Sequence, residues 1–275
     1  MCVTVILPMS MRHAAIAVAA LLAVAAARQD PLVLARQLYN TQQYDAAIAV
    51  ARDARRLPAL ADAAGLVLAR AHLGRYRISE DAADLAAARD TLASIDMSRL
   101  LPGDRRDLTI GFGELLYVDG RFGAAAEMFG AALGGPDLAS AASRELVLDW
   151  WAIALDRQAQ AALDVERLRI YARILQRMEA VLLTERESAT AIYWLAAAAA
   201  GTDDPDRAWH AAIAGWIRAP LGVGRRAALR VDLERLVQQL IIPRRARLAP
   251  GGDAMQATTA MLAEWDAIKE LGIRR

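Results

Sequence analysis

Residues 104–136 read DRRDLTIGFGELLYVDGRFGAAAEMFGAALGGP and hold a helix–turn–helix pattern from end to end. Phe112, Gly113 and Leu116 recur at the spacing of one helical face. Asp119-Gly120 interrupts that face, and glycine tolerates the left-handed conformation in which helices end. Phe122, Ala125, Phe129 and Ala132 then follow three or four apart, and Gly134-Gly135-Pro136 closes the second helix. Two antiparallel helices approach closely only where small residues meet, and the large residues between them plug the space towards the next pair. One such pair cannot bury its own apolar face, so pairs must stack.

This block resembles a tetratricopeptide repeat, a helix–turn–helix unit of about 34 residues. The resemblance rests on small Gly113, the turn glycine Gly120, and aromatic Phe122 opening the second helix. Ala125, Phe129, Ala132 and the terminal Pro136 complete it. The family's tryptophan near the start is missing, with Thr109 in its place.

The same grammar extends in both directions. Upstream, Leu34-Ala35 and Leu38 form a first helix, and Tyr44, Ala47, Ala51 and Ala54 a second, closed by Pro58. Leu68-Ala69 and His72 follow 34 positions after Leu34-Ala35 and Leu38. Leu85, Ala88, Leu92 and Ile95 make the partner helix, displaced by an insert between Gly74 and Ala83 that predicts a longer loop. Downstream, Leu195-Ala196 and Ala199 precede the turn and N-cap signal Gly201-Thr202-Asp203-Asp204-Pro205. Ala208, Ala212 and Gly215 line the next helix, which stops at Pro220. No glycine or proline lies between Pro136 and Gly201, which predicts two long helices, roughly 137–157 and 165–183. Two more helices, about 225–240 and 253–271, are separated by Pro243, Pro250 and Gly251-Gly252. The expected fold is therefore all-α, a right-handed α-solenoid of stacked repeats over residues 28–220, with capping helices over 221–275. No period-two alternation or hairpin dipeptide signals a strand.

Residues 1–27 read as a signal peptide. Arg12 and His13 give a basic edge, Ala14 to Ala27 an uncharged run, and Ala25-Ala26-Ala27 small residues for cleavage. The run falls short of the roughly 20 residues of a spanning helix; retention as an anchor is the alternative. An exported protein, periplasmic or secreted, is expected, with no stable membrane insertion once the signal is removed. Cleavage takes one of 33 basic residues, Arg12, leaving 32 against 32 acidic ones, and also takes the single cysteine, Cys2. A neutral chain has no bulk attraction for nucleic acid, and a chain without thiols has no disulfide, thiolate catalysis or cysteine metal site.

Catalytic and cofactor signatures are absent from the sequence, so a non-enzymatic protein without a cofactor is expected. His72 falls on a packing face, and His210 has no cysteine or second histidine at metal spacing. Gly111-Phe112-Gly113 lies inside a helix and precedes no Lys-Ser or Lys-Thr. Asp203, Asp204 and Asp206 suit helix capping better than calcium, lacking the other ligands of a full loop. Trp150 and Trp151 are adjacent and diverge by about 100° on a helix, so one packs inward. Trp209 and Trp216 share a face and read as core. Seven arginines between Arg225 and Arg247 read as a solvated cap.

What the resemblance implies is a groove, lined by the first helices, that binds an extended protein or peptide partner. Carried over residue by residue, it puts Arg36, Tyr39 and Asn40 on the groove side of the first unit, Arg70 in the second, and Glu114 and Tyr117 in the third. Arg36 and Asn40 are four apart and converge on one helix. With Arg70 they suit a partner's carboxylate. The implied function is a binding adaptor of the cell envelope. The alternatives are a component of an envelope assembly or secretion machinery, and an α-helical hydrolase with a groove active site, which would need converging carboxylates.

Overall fold

The structure, a computed structural model, describes residues 30–135, 141–219, 225–250 and 253–273. The described residues are all-helical and contain no strand. They divide into two compact units, one ending at Gly111 and one beginning at Phe112. The expected signal at 1–27, Pro136, Pro220 and Gly251-Gly252 lie outside the described residues. No helix of the described residues is long and apolar enough to cross a membrane.

In the first unit α1 (Pro31–Asn40) is capped by Asp30, whose carboxylate accepts from the Leu32 N–H, with Pro31 pre-set for the first turn. It leads into α2 (Tyr44–Ala54), α3 (Ala61–Ser79) and α4 (Ala82–Ala93). Each packs on the next, and α1 also packs on α3. Ala35, Ala47, Ala51, Ala64 and Ala71 are fully buried at these contacts, with Leu32, Ile48, Val67 and Leu68 filling the space around them. The ring of Tyr44 rests on Gly74, where an added Cβ would stand 2.4 Å from it.

The insert before Ala83 does not form the expected loop. It lengthens α3, which runs on to Ser79 and ends in a left-handed residue, Glu80, at φ 55°. The added turn carries Arg75, whose guanidinium reaches Asp84 on α4 and Asp45 on α2, so the extension is tied on both sides.

Helix α5 (Pro102–Val118) contains the boundary between the units. In the second unit, Gly120 makes the turn at φ +73° and α6 (Phe122–Leu133) follows. Phe129 lies over Gly113 and packs beside Trp150, ring centroids 5.7 Å apart. The long helices are α7 (Ala141–Gln160) and α8 (Asp164–Thr184), and the break falls at Ala161–Leu163, inside the expected gap. Then come α9 (Ala189–Gly201) and α10 (Pro205–Arg218); Asp204 caps the Arg207 N–H and Asp203 takes the left-handed turn, as the sequence signals. Consecutive helices from α6 to α10 pack in order, while α9 also packs on α7. Of the adjacent tryptophans, Trp151 is the buried one, 1% exposed.

The C-terminal segment departs from expectation at Pro243. Helix α11 (Arg225–Leu236) passes through a π turn, Val237–Ile241, straight into α12 (Ile242–Arg247). Proline lacks the N–H for an i→i−4 bond, and the wider turn just before it takes the ring without ending the helix. Helix α11 packs on α9, and α13 (Ala254–Ile273) packs on α10 and α12. Trp265 of α13, fully buried, meets Trp209 and Trp216 at 5.7 and 5.3 Å. Two of the arginines here, Arg230 and Arg245, work inside the fold. Arg230 donates to the Ala219 carbonyl and lies over Trp216; Arg245 pairs with Asp206 and lies over Trp209.

Candidate functional site

Four of the residues expected to meet a partner lie in the first unit, and three of them are drawn into one cluster. Arg36 pairs with Asp104 at 2.6 Å. Arg70 pairs with Asp107 at 3.4 Å, and its guanidinium lies over the Tyr39 ring, 4.9 Å from the centroid. Both arginines therefore meet a carboxylate of their own chain. Asn40 is exposed at the end of α1. Glu114 and Tyr117 belong to the second unit, where Glu114 is 5% exposed and Tyr117 half-buried.

The first unit also holds a buried polar network. The His72 ring donates from Nδ1 to Asp84 at 2.6 Å, and Arg75 grips the same carboxylate with two nitrogens at 2.6 and 2.7 Å. Hydrogen bonds from Arg75 hold the Asp84 carboxyl below the usual carboxylate range, helped by His72 and opposed by burial. Asp84 in turn raises the Arg75 pKa, with Asp45 adding to it. His72 is thus a satisfied packing residue that joins α3 to α4. Among the described residues no group of histidine, cysteine, aspartate and glutamate suits a metal ion.

The second unit contains an open cavity of about 570 Å³. Every second helix from α5 to α11 lines it: Tyr117 from α5, Asp149, Ile153, Asp156 and Arg157 from α7, Thr190, Tyr193 and Trp194 from α9, and Leu229 and Asp232 from α11. Helix periodicity explains the lining. Asp149, Ile153 and Asp156 are four and three apart and share one face of α7, opposite buried Trp151 and Leu155. The walls are fixed by hydrogen bonds: Trp194 Nε1 donates to Asp149 at 2.8 Å, Tyr171 Oη to Asp156 Oδ1 at 2.8 Å, and Gln160 Nε2 to Asp156 Oδ2 at 2.6 Å. Burial raises the Tyr171 pKa, and its bond to Asp156 raises it further. Burial likewise raises that of Tyr193, with Asp232, Asp156 and Asp149 adding to it. Both phenols stay neutral.

Of the residues expected from the sequence, only Tyr117 lines this cavity. Asp149, Asp156, Tyr193 and Asp232 were missed. The available signal was a polar and aromatic face at helical spacing on the first helix of each later pair. Comparison with known protein families, characterised proteins and solved structures finds no match.

Proposed function

We propose that the chain is a tetratricopeptide-like right-handed α-solenoid that acts as an exported, non-enzymatic adaptor of the cell envelope, binding an extended partner segment along the groove of its first helices. The observation that carries this reading is the packing of alternate helices. In the first unit α1 packs on α3; in the second α7 and α11 pack on α9, and the open cavity follows that line. Stacked pairs with small residues at their contacts give this next-but-one packing. An open wall of side chains from four helices suits an extended segment, since anchor pockets and exposed polar groups recur along it.

In the first unit, taken by itself, the resemblance suggests Arg36, Tyr39, Asn40 and Arg70 as partner contacts. A partner carboxylate there exchanges with Asp104 and Asp107 rather than meeting bare arginines. Hydrolysis is less well supported. Both oxygens of Asp156 accept hydrogen bonds from neutral donors, which favours a fixed carboxylate over a proton-shuttling one.

The test is selection of random peptides on the purified protein, repeated with Ala189→Trp, which adds bulk to the cavity lining. Peptides captured by the wild type and lost in the variant support the adaptor. A wild type that captures none, or a variant that captures equally, contradicts it. Fusion of residues 1–27 to an export-dependent reporter tests localisation separately; an inactive fusion contradicts export.

A further inference from the structure

We infer that the cavity of the second unit receives a basic side chain, arginine or lysine, from the bound partner segment. This rests on reading the groove as a partner site. Three carboxylates, Asp149, Asp156 and Asp232, line the cavity against one guanidinium, Arg157. Asp156 is held by Tyr171 and Gln160, both neutral donors, so neither bond brings a positive charge to it. Among the described residues Asp232 pairs along its own helix, with Arg235 at 3.6 Å, and both side chains are exposed. Exposed pairs of that kind contribute little and yield readily to a better-placed cation.

The remaining walls are aromatic. Tyr117, Tyr193 and Trp194 turn towards the same space, with the Tyr193 and Trp194 rings edge to face at 5.4 Å. Aromatic faces attract a cation through their quadrupole, more strongly where water is excluded. A planar guanidinium stacks on such a ring while its fork reaches carboxylates at the rim. The volume lies within the usual range of a ligand pocket, about 300–1,000 Å³, and exceeds the needs of one side chain. Charge, ring chemistry and size agree on a cationic occupant, while an acidic or purely apolar side chain meets three carboxylates.

The experiment starts from peptides selected on the purified protein. Basic residues are expected to be enriched at one position. Replacing that residue by citrulline, the neutral analogue of arginine, is expected to weaken binding about tenfold. Asp156→Asn and Asp232→Asn are each expected to weaken the preference for the charged form, Asp232→Asn without changing the thermal midpoint. The Asp232 side chain is 47% exposed, so its variant keeps the test decisive should Asp156→Asn unfold. Captured peptides with no basic preference, or a preference unchanged by Asp232→Asn, overturn the inference and leave the adaptor standing. Failure to capture any peptide overturns both.

Discussion

Phe129 fills the space that a side chain at Gly113 would need: a Cβ built there stands 2.6 Å from the Phe129 ring. Gly113→Leu is therefore expected to cost about 1–3 kcal/mol by overpacking. Gly103 lies in the same helix with nothing within 4 Å of its Cβ position. Gly103→Ala is expected to stabilise by about 0.5 kcal/mol through helix propensity. Urea titration of both variants checks the pair; a Gly113→Leu protein that unfolds with the wild type means the two helices do not touch there.

The rule repeats at Gly74 under Tyr44 and at Gly201 under Tyr171, where an added Cβ would stand 2.4 and 2.6 Å from the rings. Gly201→Ala is expected to lower stability and to displace Tyr171, loosening its hydrogen bond to Asp156. The check is Tyr171 titration followed by ultraviolet absorbance. A phenol that titrates identically in the variant contradicts the link.

Asp84→Asn is expected to cost about 2 kcal/mol, since Arg75 and His72 lose a shared ionised acceptor that is 2% exposed. The pH dependence has a definite sign. A depressed folded pKa stabilises fully above the unfolded value, about 4, and the contribution is lost as pH falls through the lower folded value. Acid titration monitored by circular dichroism should show the wild type losing stability below that point more steeply than the variant. Equal slopes would remove Asp84 from the account of acid stability.

Trp265→Ala is expected to cost about 3–5 kcal/mol and to free α13 from Trp209 and Trp216. Hydrogen exchange should rise across 254–273 while α7 and α9 stay protected. Unchanged protection of α13 would contradict its docking through this ring.

Arg36→Ala combined with Arg70→Ala should change partner capture by less than about threefold, because each arginine trades its own carboxylate for the partner's. Peptide affinities measured by calorimetry decide it. A tenfold loss would make these arginines the main anchor.

Much of the fold was legible because its signals are local. Gly120 marks a left-handed turn, Asp204-Pro205 a capped helix start, and Ala161–Leu163 falls in the gap foreseen between two long helices. The extension of α3 was not legible, because a helix and a loop of equal length differ here only by the Arg75 contacts to Asp84 and Asp45. Pro243 read as a stop because the π turn that admits it has no sequence signature. In the candidate site, Tyr117, expected through the family resemblance, lines the cavity. Asp149, Tyr193 and Asp232 were not expected, since nothing in a linear chain says that positions so far apart line one space.

The central claim is that the first helices of the second unit form the partner's bed. Site-specific photo-crosslinking of a selected peptide tests it most directly, with the photoreactive residue at position 153 in the cavity or at position 183, where Leu183 is 79% exposed on α8. The expected result is a covalent adduct from position 153 and none from 183. Adducts from 183 alone, or equally from both, would contradict the claim.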